Sequence, residues 1–168
     1  ITDPLAKGAL VGLTLSHTRG HIWRALLEGV CFGTRACVEG LEAAGYPCNE
    51  IVLAGGATRS ELWLQMHADI TNTTISVCEH SENAPLLGCA ILASVGVGLH
   101  ETVPDAVKAM VRIRQRIHPQ PKTAKAYDPV YRTVYSRTAD TVRPLVHALD
   151  SLRGGSAADD TEVKAAIP

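Results

Sequence analysis

The sequence lacks a long hydrophobic run, an excess of charge of either sign and a paired-cysteine motif. None of its apolar runs approaches the roughly 20 residues that a membrane-spanning helix needs. Its 16 basic and 17 acidic residues give a formal net charge of −1. Nothing in that balance favours nucleic acid or an acidic membrane surface as a partner. We therefore expect neither kind of partner.

The five cysteines include no C-x-x-C pair, and most of them lie among apolar residues. This pattern is typical of free thiols in a reducing compartment, so we expect no disulfide and no zinc site. No basic segment is followed by an apolar stretch and a cleavage site, as a secretory signal would require. These features predict a cytoplasmic protein.

With 168 residues, the chain is long enough for one domain with a sizeable core.

Residues 51–60 (IVLAGGATRS) are the most informative stretch. A short apolar run ends in two glycines, and a helical pattern begins at Ser60, which predicts a buried strand, a tight turn and a helix N-terminus. Gly55 and Gly56 have no Cβ, so a flat ligand could lie directly on the backbone, and the N–H groups of the helix would suit an anion. The other interpretation is a plain strand-to-helix turn with glycines for backbone geometry, and spacing alone does not separate the two.

The hydrophobic periodicity predicts an α/β chain rich in helices. The expected elements are a long helix over 16–44, a strand at 51–54, a helix to about residue 70, a strand over 73–78, a buried helix over 85–97, and helices over 102–114 and 123–149. A strand–helix–strand unit predicts parallel pairing. Two strands are too few for a parallel sheet covered on both faces, so the sheet is expected to be incomplete. The tail 151–168 is poor in apolar residues and is predicted to be disordered.

Three sequence blocks follow one another: residues 24–29 (RALLEG), 53–69 (LAGGATRSELWLQMHAD) and 82–93 (ENAPLLGCAILA). In sequence and spacing they resemble three blocks in the carboxy-terminal domain of the FGGY family of carbohydrate kinases. This family belongs to the actin, sugar-kinase and Hsp70-like ATPase superfamily. The resemblance implies that residues 1–150 form the carboxy-terminal lobe of a ribonuclease H-like, actin-type ATPase fold.

The family's glycine block binds adenosine. The resemblance therefore implies that Gly55, Gly56 and Ala57 lie under the adenine and ribose of ATP, with Ser60 near the purine. The implied activity is transfer of the ATP γ-phosphoryl group to a hydroxyl of a sugar or polyol, with a pentulose as the favoured substrate. Gln65 and Asp69 match the same block, and we expect them to form structural hydrogen bonds.

The family's phosphate-binding turns and its catalytic aspartate have no match here, because Asp3, Asp69 and Asp105 do not align with those positions. The resemblance thus implies a fragment that is inactive alone, with no catalytic residue and no metal ligand. Mg²⁺ would be bound mainly through a missing amino-terminal kinase lobe, and a homodimer of the complete enzyme is allowed. The alternative is a truncated, non-catalytic nucleotide-binding or interaction module.

Two further groups at the start of the first long helix invite a functional interpretation. His17 and His21 are spaced to share one metal, but no third ligand is evident, so we expect a partly exposed pair without metal. Arg19 and Arg24 could approach a phosphate, but we expect a solvated or ion-paired helix face instead.

Overall fold

Six helices and three strands make up residues 3–152, the part of the chain that the computed structural model describes. The helices are α1 (Arg19–Ala43), α2 (Glu61–Thr71), α3 (Ala84–Gly96), α4 (Val103–Met110), α5 (Pro121–Val130) and α6 (Ser136–Leu152). The strands are β1 (Glu50–Leu53), β2 (Thr74–Cys78) and β3 (Ile113–Ile117). A 3₁₀ turn at Gly56–Arg59 links β1 to α2, and a π-helical turn at Tyr131–Tyr135 links α5 to α6.

The sheet has the strand order β1-β2-β3. β1 and β2 are parallel and are joined through α2, which confirms the predicted strand–helix–strand unit. β3 runs antiparallel to β2, with Ile117 opposite Ile75. Side chains alternate between the two faces of a strand. The face that α2 covers carries apolar residues from all three strands: Ile51, Leu53, Ile75, Val77 and Ile117.

The prediction of a helix over 102–114 is wrong at its carboxyl end. α4 ends at Met110, and Ile113–Ile117 is the third strand. In the segment IRQRI, Ile117 lies opposite Ile75 on the face that α2 covers, whereas Arg116 lies opposite Ser76 on the other face. A register shift at Val77/Cys78 places Ile113 opposite Cys78. The residues that β3 pairs with in β2 lie roughly 40 positions earlier in the chain, so local periodicity carries little sign of it.

The core lies on two sides of α2. On one side, Leu64 and Ala68 pack against the strands around Ile75 and Val77. On the other, Met66 and Ile70 pack against a cluster of α1 and the π-helical turn that includes Cys31, Phe32 and Tyr131. α2 is therefore the middle layer between the sheet and the outer helices.

A buried arginine joins α1 to this outer layer. The Arg35 guanidinium lies 4.1 Å from the centre of the Tyr131 ring and donates to Asp128 Oδ1 at 2.5 Å and to Glu39 Oε1 at 3.0 Å. Its side chain is 8% exposed. Planar stacking and several donors suit arginine for such a site, so the charge is both packed and paired.

Two helices depart from their predictions. The helix over 85–97 was expected to be buried, yet only Ile91 and Ser94 of α3 are buried. Its main neighbours in the described chain are α4 and a short 3₁₀ turn, which leave most of its surface exposed. The last helix divides at the π-helical turn, which begins at Tyr131, two residues after Pro129. Pro129 has no N–H to donate to residue 125. α6 continues to Leu152, and the remainder of the predicted disordered tail, 153–168, lies outside the described residues.

Candidate functional site

The two glycines after β1 form an open ledge on the protein surface. Gly55 has φ 89° and ψ −174°, a conformation that is essentially restricted to glycine. A Cβ built at either Gly55 or Gly56 meets no other atom within 4 Å. The ledge is therefore open, as a site for a flat ligand on bare backbone requires.

The underside of the ledge is fixed by two buried hydroxyls. Thr58 Oγ1 donates to the Gly55 carbonyl at 2.7 Å and shares a hydrogen bond of 2.8 Å with Ser81 Oγ. The Gly55 N–H donates to the Ser81 carbonyl at 2.9 Å. Thr58 and Ser81, which sequence reasoning did not single out, thus tie the glycine turn to the segment after β2. The small hydroxyl three residues after Gly55 was the available signal.

Ala57 and Ser60 lie on the exposed side of the same turn. Ser60 Oγ accepts a hydrogen bond from Trp63 N at 3.3 Å, which confirms its predicted role as the N-cap of α2. The structure brings all four predicted adenosine residues into one short segment. The 3₁₀ turn Gly56–Arg59 separates the ledge from α2, so the N–H groups nearest to Gly56 belong to that turn.

Gln65 and Asp69 have the structural role that was predicted for them. The Gln65 amide donates to Asp69 Oδ1 at 2.9 Å and to the His118 carbonyl at 3.1 Å. The same Asp69 oxygen accepts from Gln120 N at 2.7 Å. These bonds hold α2 against the connection between β3 and α5.

His17 and His21 lie together but are engaged in local hydrogen bonds. Their rings are 5.7 Å apart, and each Nδ1 accepts a backbone N–H, from Thr14 at 3.0 Å and from Thr18 at 3.1 Å respectively. Across residues 3–152, no group of three or more His, Cys, Asp or Glu side chains is placed to hold a metal ion. The pair therefore shapes the start of α1.

The RALLEG block holds α1 against α5. Arg24 Nε donates to Glu28 Oε1 at 2.7 Å, and Arg24 Nη2 donates to the Tyr127 hydroxyl at 2.6 Å. That hydroxyl in turn donates to Glu28 Oε1 at 2.7 Å. Hydrogen bonding to Glu28 holds the pKa of Arg24 above its ordinary value. Arg24 is thus ion-paired, as expected.

A buried cysteine–histidine pair lies between α1 and α2. Cys31 Sγ is 3.2 Å from His67 Nδ1, which also donates to the Trp63 carbonyl at 3.0 Å. Burial raises the pKa of the Cys31 thiol to about 12 and lowers the pKa of His67. A nucleophilic pair needs a thiolate, so this uncharged pair is part of the packing.

A cavity of about 590 Å³ lies between the first residues of the described chain and α6. Its walls are largely apolar and include Ala36, Tyr135 and Val142. It shares no residue with the glycine ledge. In the described part of the chain, no helix is long and apolar enough to cross a membrane.

Comparison with known proteins gives consistent results. The family model described as "FGGY family of carbohydrate kinases, C-terminal domain" matches residues 1–97. A xylulose kinase of Bacillus subtilis is 31% identical over 141 residues, which are 82% of this chain and 28% of that protein. A ribulokinase of Mycolicibacterium smegmatis is 38% identical over 132 residues, which are 78% of this chain and 23% of that protein.

Solved structures show the same relationship. A xylulose kinase of Rhodospirillum rubrum superposes with a TM-score of 0.72 and 37% identity, covering 86% of this chain and 29% of that one. A gluconate kinase of Lactobacillus acidophilus, at 24% identity, has the same fold with a TM-score of 0.73. The predicted actin-type ATPase fold is thereby confirmed. The chain spans less than a third of the length of these relatives, and it belongs to the FGGY family of carbohydrate kinases, within their C-terminal domain.

Proposed function

We propose that residues 1–150 are the carboxy-terminal lobe of an ATP-dependent carbohydrate kinase and supply its adenosine-binding half. The open ledge at Gly55 and Gly56 carries this proposal, because a purine can lie on backbone that presents no Cβ. Ala57 would extend the ledge under the ribose. The Ser60 hydroxyl, whose oxygen caps α2, would still have its proton to donate to the purine edge.

The reaction would be attack of a sugar or polyol hydroxyl on the γ-phosphorus of ATP. A bond forms from that oxygen to phosphorus, the bond to the β,γ-bridging oxygen breaks, ADP leaves, and a carboxylate takes the hydroxyl proton. The base, the Mg²⁺ ligands and most sugar contacts would come from the rest of the kinase polypeptide. A cytoplasmic location is part of the same proposal.

The three aspartates that do not align with the family's catalytic position form local hydrogen bonds. Asp3 accepts from His147 at 2.9 Å, Asp69 accepts from Gln65 and Gln120, and Asp105 forms a hydrogen bond with Thr102 at the start of α4. Each of these carboxylates therefore stabilises local structure, which supports a division of labour in which another lobe supplies the base.

A pentulose is the proposed acceptor, because the relatives named above include a xylulose kinase and a ribulokinase. The first test is calorimetry of this chain with ATP, comparing Gly56→Leu with Gly8→Leu. Both glycines lie in open space without a positive φ, so neither change should disturb folding. We expect Gly56→Leu to weaken ATP binding at least about tenfold and Gly8→Leu to leave it unchanged. Unchanged affinity in Gly56→Leu would reject the ledge as the nucleotide site.

The second test is activity. This chain is mixed with the unmatched remainder of the B. subtilis xylulose kinase and assayed for ADP release with a panel of ketoses and polyols. We expect phosphoryl transfer only for the combination, with pentuloses preferred. Nucleotide binding without transfer in any combination would favour the non-catalytic module instead.

A further inference from the structure

The cavity beside α6 has the size and the lining of a small-molecule site. Its volume of about 590 Å³ falls within the roughly 300–1,000 Å³ of typical ligand pockets. Residues 3–9 form one wall, and α1, the π-helical turn and α6 form the others. The valines Val142 and Val146 of α6 line it. Alanines occupy positions where larger side chains would fill the space: Ala6, Ala9, Ala36 and Ala139.

One wall of the cavity is aromatic and is held in place from behind. Tyr131 and Tyr135 of the π-helical turn both line the cavity, and their stacked rings have centroids 5.8 Å apart. The ring of Phe32 packs against both, with centroid distances of 5.9 and 5.1 Å respectively. The Arg35 guanidinium fixes Tyr131 from a further side. Because the wall is built before any ligand arrives, little ordering cost remains to be met on binding.

One hydroxyl at this wall is available to a ligand. Tyr127 uses its hydroxyl in bonds between α1 and α5, whereas the Tyr135 hydroxyl has no hydrogen-bond partner among residues 3–152. It lies beside α1, 3.5 Å from where a Cβ on Gly33 would be. Ala36, which lies on the same face of α1, lines the cavity. Burial raises the pKa of Tyr135, so its hydroxyl stays protonated and can donate to a ligand.

The charged residues that line the cavity are paired with one another or with close neighbours. Asp3 accepts from His147 Nε2 at 2.9 Å and lies 3.6 Å from Arg143 Nε. Lys7 Nζ lies 3.1 Å from Asp150 Oδ1. A charged ligand would have to displace one of these partners or leave its own charge unpaired beside apolar walls, which is costly. A neutral ligand leaves the pairs intact, and the pairs also hold residues 3–9 against α6.

We propose that this cavity binds a neutral aromatic molecule that carries a hydroxyl group. The rings of the ligand pack on the alanine and valine walls and against Tyr131 and Tyr135, where aromatic contacts are favourable. Its hydroxyl accepts a hydrogen bond from the Tyr135 hydroxyl. The ligand contacts both residues 3–9 and α6, so binding stabilises the attachment of the segment that leads into α1. The cavity and the glycine ledge share no residue, and the inference does not depend on the proposed nucleotide site.

The test compares three probes that share one ring system and differ in charge: naphthol, naphthoate and naphthylmethylamine. Binding to this chain is measured by equilibrium dialysis at pH 7. We expect naphthol to bind at one site, at least about tenfold more tightly than either charged probe. The melting temperature should rise with naphthol concentration. At a naphthol concentration well above its Kd, amide exchange in α6 should slow at least about tenfold, with no local protection at Gly55 and Gly56.

Matched variants locate the probe. Ala36→Phe and Ala139→Phe fill the cavity from α1 and from α6, whereas Ala148→Phe adds the same ring to α6 away from the cavity. All three alanines are exposed, so the effects on folding should be alike. We expect the first two changes to weaken naphthol binding at least about tenfold and Ala148→Phe to leave it unchanged.

A fourth variant tests the hydrogen bond. Tyr135→Phe keeps the ring and removes the hydroxyl. We expect it to weaken naphthol binding about threefold to tenfold, as loss of one hydrogen bond would, and to leave the binding of naphthalene unchanged.

Several results would overturn the proposal. They are no naphthol binding at millimolar concentration, equal binding of the neutral and charged probes, and equal binding by the parent chain and the cavity-filling variants. Displacement of naphthol by ATP would place the probe at the nucleotide site instead. If a variant does not fold, the exchange pattern of the parent chain still shows whether α6 is the protected element. Naphthol binding in a chain that does not bind ATP would leave this inference standing and would reject only the proposed nucleotide site.

Discussion

The two sides of α1 show how a sequence with ample apolar residues can be well packed in one place and unpartnered in another. The side towards α2 and α5 is a built interior. Cys31 and Phe32 are almost fully buried there, and Arg35 is stacked and paired. The opposite side presents Trp23, Leu26 and Val30 to solvent. Both sides carry apolar residues, so hydrophobicity alone does not distinguish a buried helix face from an exposed one.

α3 extends this comparison. Residues 84–99 contain no charged side chain, yet Leu86 and Leu92 are 70% and 64% exposed. Contiguous apolar surface of this kind marks an interaction site in most proteins. The chain therefore carries apolar surface that the contacts among residues 3–152 leave exposed.

The largest expected effect separates the two regions by stability. Leu64→Ala removes a side chain that is 2% exposed between α2 and the sheet, and Leu92→Ala removes one that is 64% exposed on α3. We expect the first to lower the free energy of unfolding by about 2–5 kcal/mol and the second to change it by less than about 0.5 kcal/mol. Urea denaturation followed by circular dichroism measures both. Equal losses would show that α3 is covered in solution.

The glycine ledge gives a comparison within one turn. Gly55 adopts an essentially glycine-only conformation, so Gly55→Ala should cost about 1–3 kcal/mol. Gly56 has no positive φ and lies in open space, so Gly56→Ala should be neutral or stabilise by up to about 1 kcal/mol. Thermal unfolding of both variants is the measurement. A cost at Gly56 as large as that at Gly55 would mean that the ledge is packed.

Features that depend on neighbouring residues were predicted from the sequence. α2 begins after Ser60 as expected, because an N-cap and an apolar period lie within a few residues of each other. The glycine turn and both parallel strands were also predicted, since a short β-branched or apolar run followed by glycine or a polar loop is a local signal.

Features that depend on distant residues were not predicted. β3 was not predicted, and its first two residues were assigned to the preceding helix, because its pairing with β2 spans about 40 residues. The bond between Thr58 and Ser81 joins residues 23 positions apart, and that between Arg24 and Tyr127 joins residues 103 apart. Such contacts follow from the packed fold, and a single sequence carries no periodicity that reports them. Adenosine binding at the ledge depends on contacts with a ligand, so that assignment stays a prediction.

The smallest expected effect is a dependence of stability on pH that comes from His67 of α2, in the interior between α1 and α2. Burial lowers the pKa of His67, which donates to the Trp63 carbonyl beside Cys31. The unfolded chain therefore takes up a proton near pH 6.5, where the folded chain does not. Because the unfolded state binds more protons, stability falls as pH falls below about 6.5.

His67→Gln should reduce that slope between pH 7 and 5, whereas changes on the uncharged α3 should leave it unaltered. Asp128 titrates in a separate window. The hydrogen bond from Arg35 lowers the pKa of this carboxyl, so its stabilisation is present above about pH 3.9 and is lost as pH falls further. Melting temperatures of the parent chain and His67→Gln, measured from pH 7 to 5, isolate the His67 contribution, because the Asp128 window lies below that range. If both proteins lose stability in parallel over that range, the imidazole is solvated in solution, and the interior between α1 and α2 is less closed than its geometry implies.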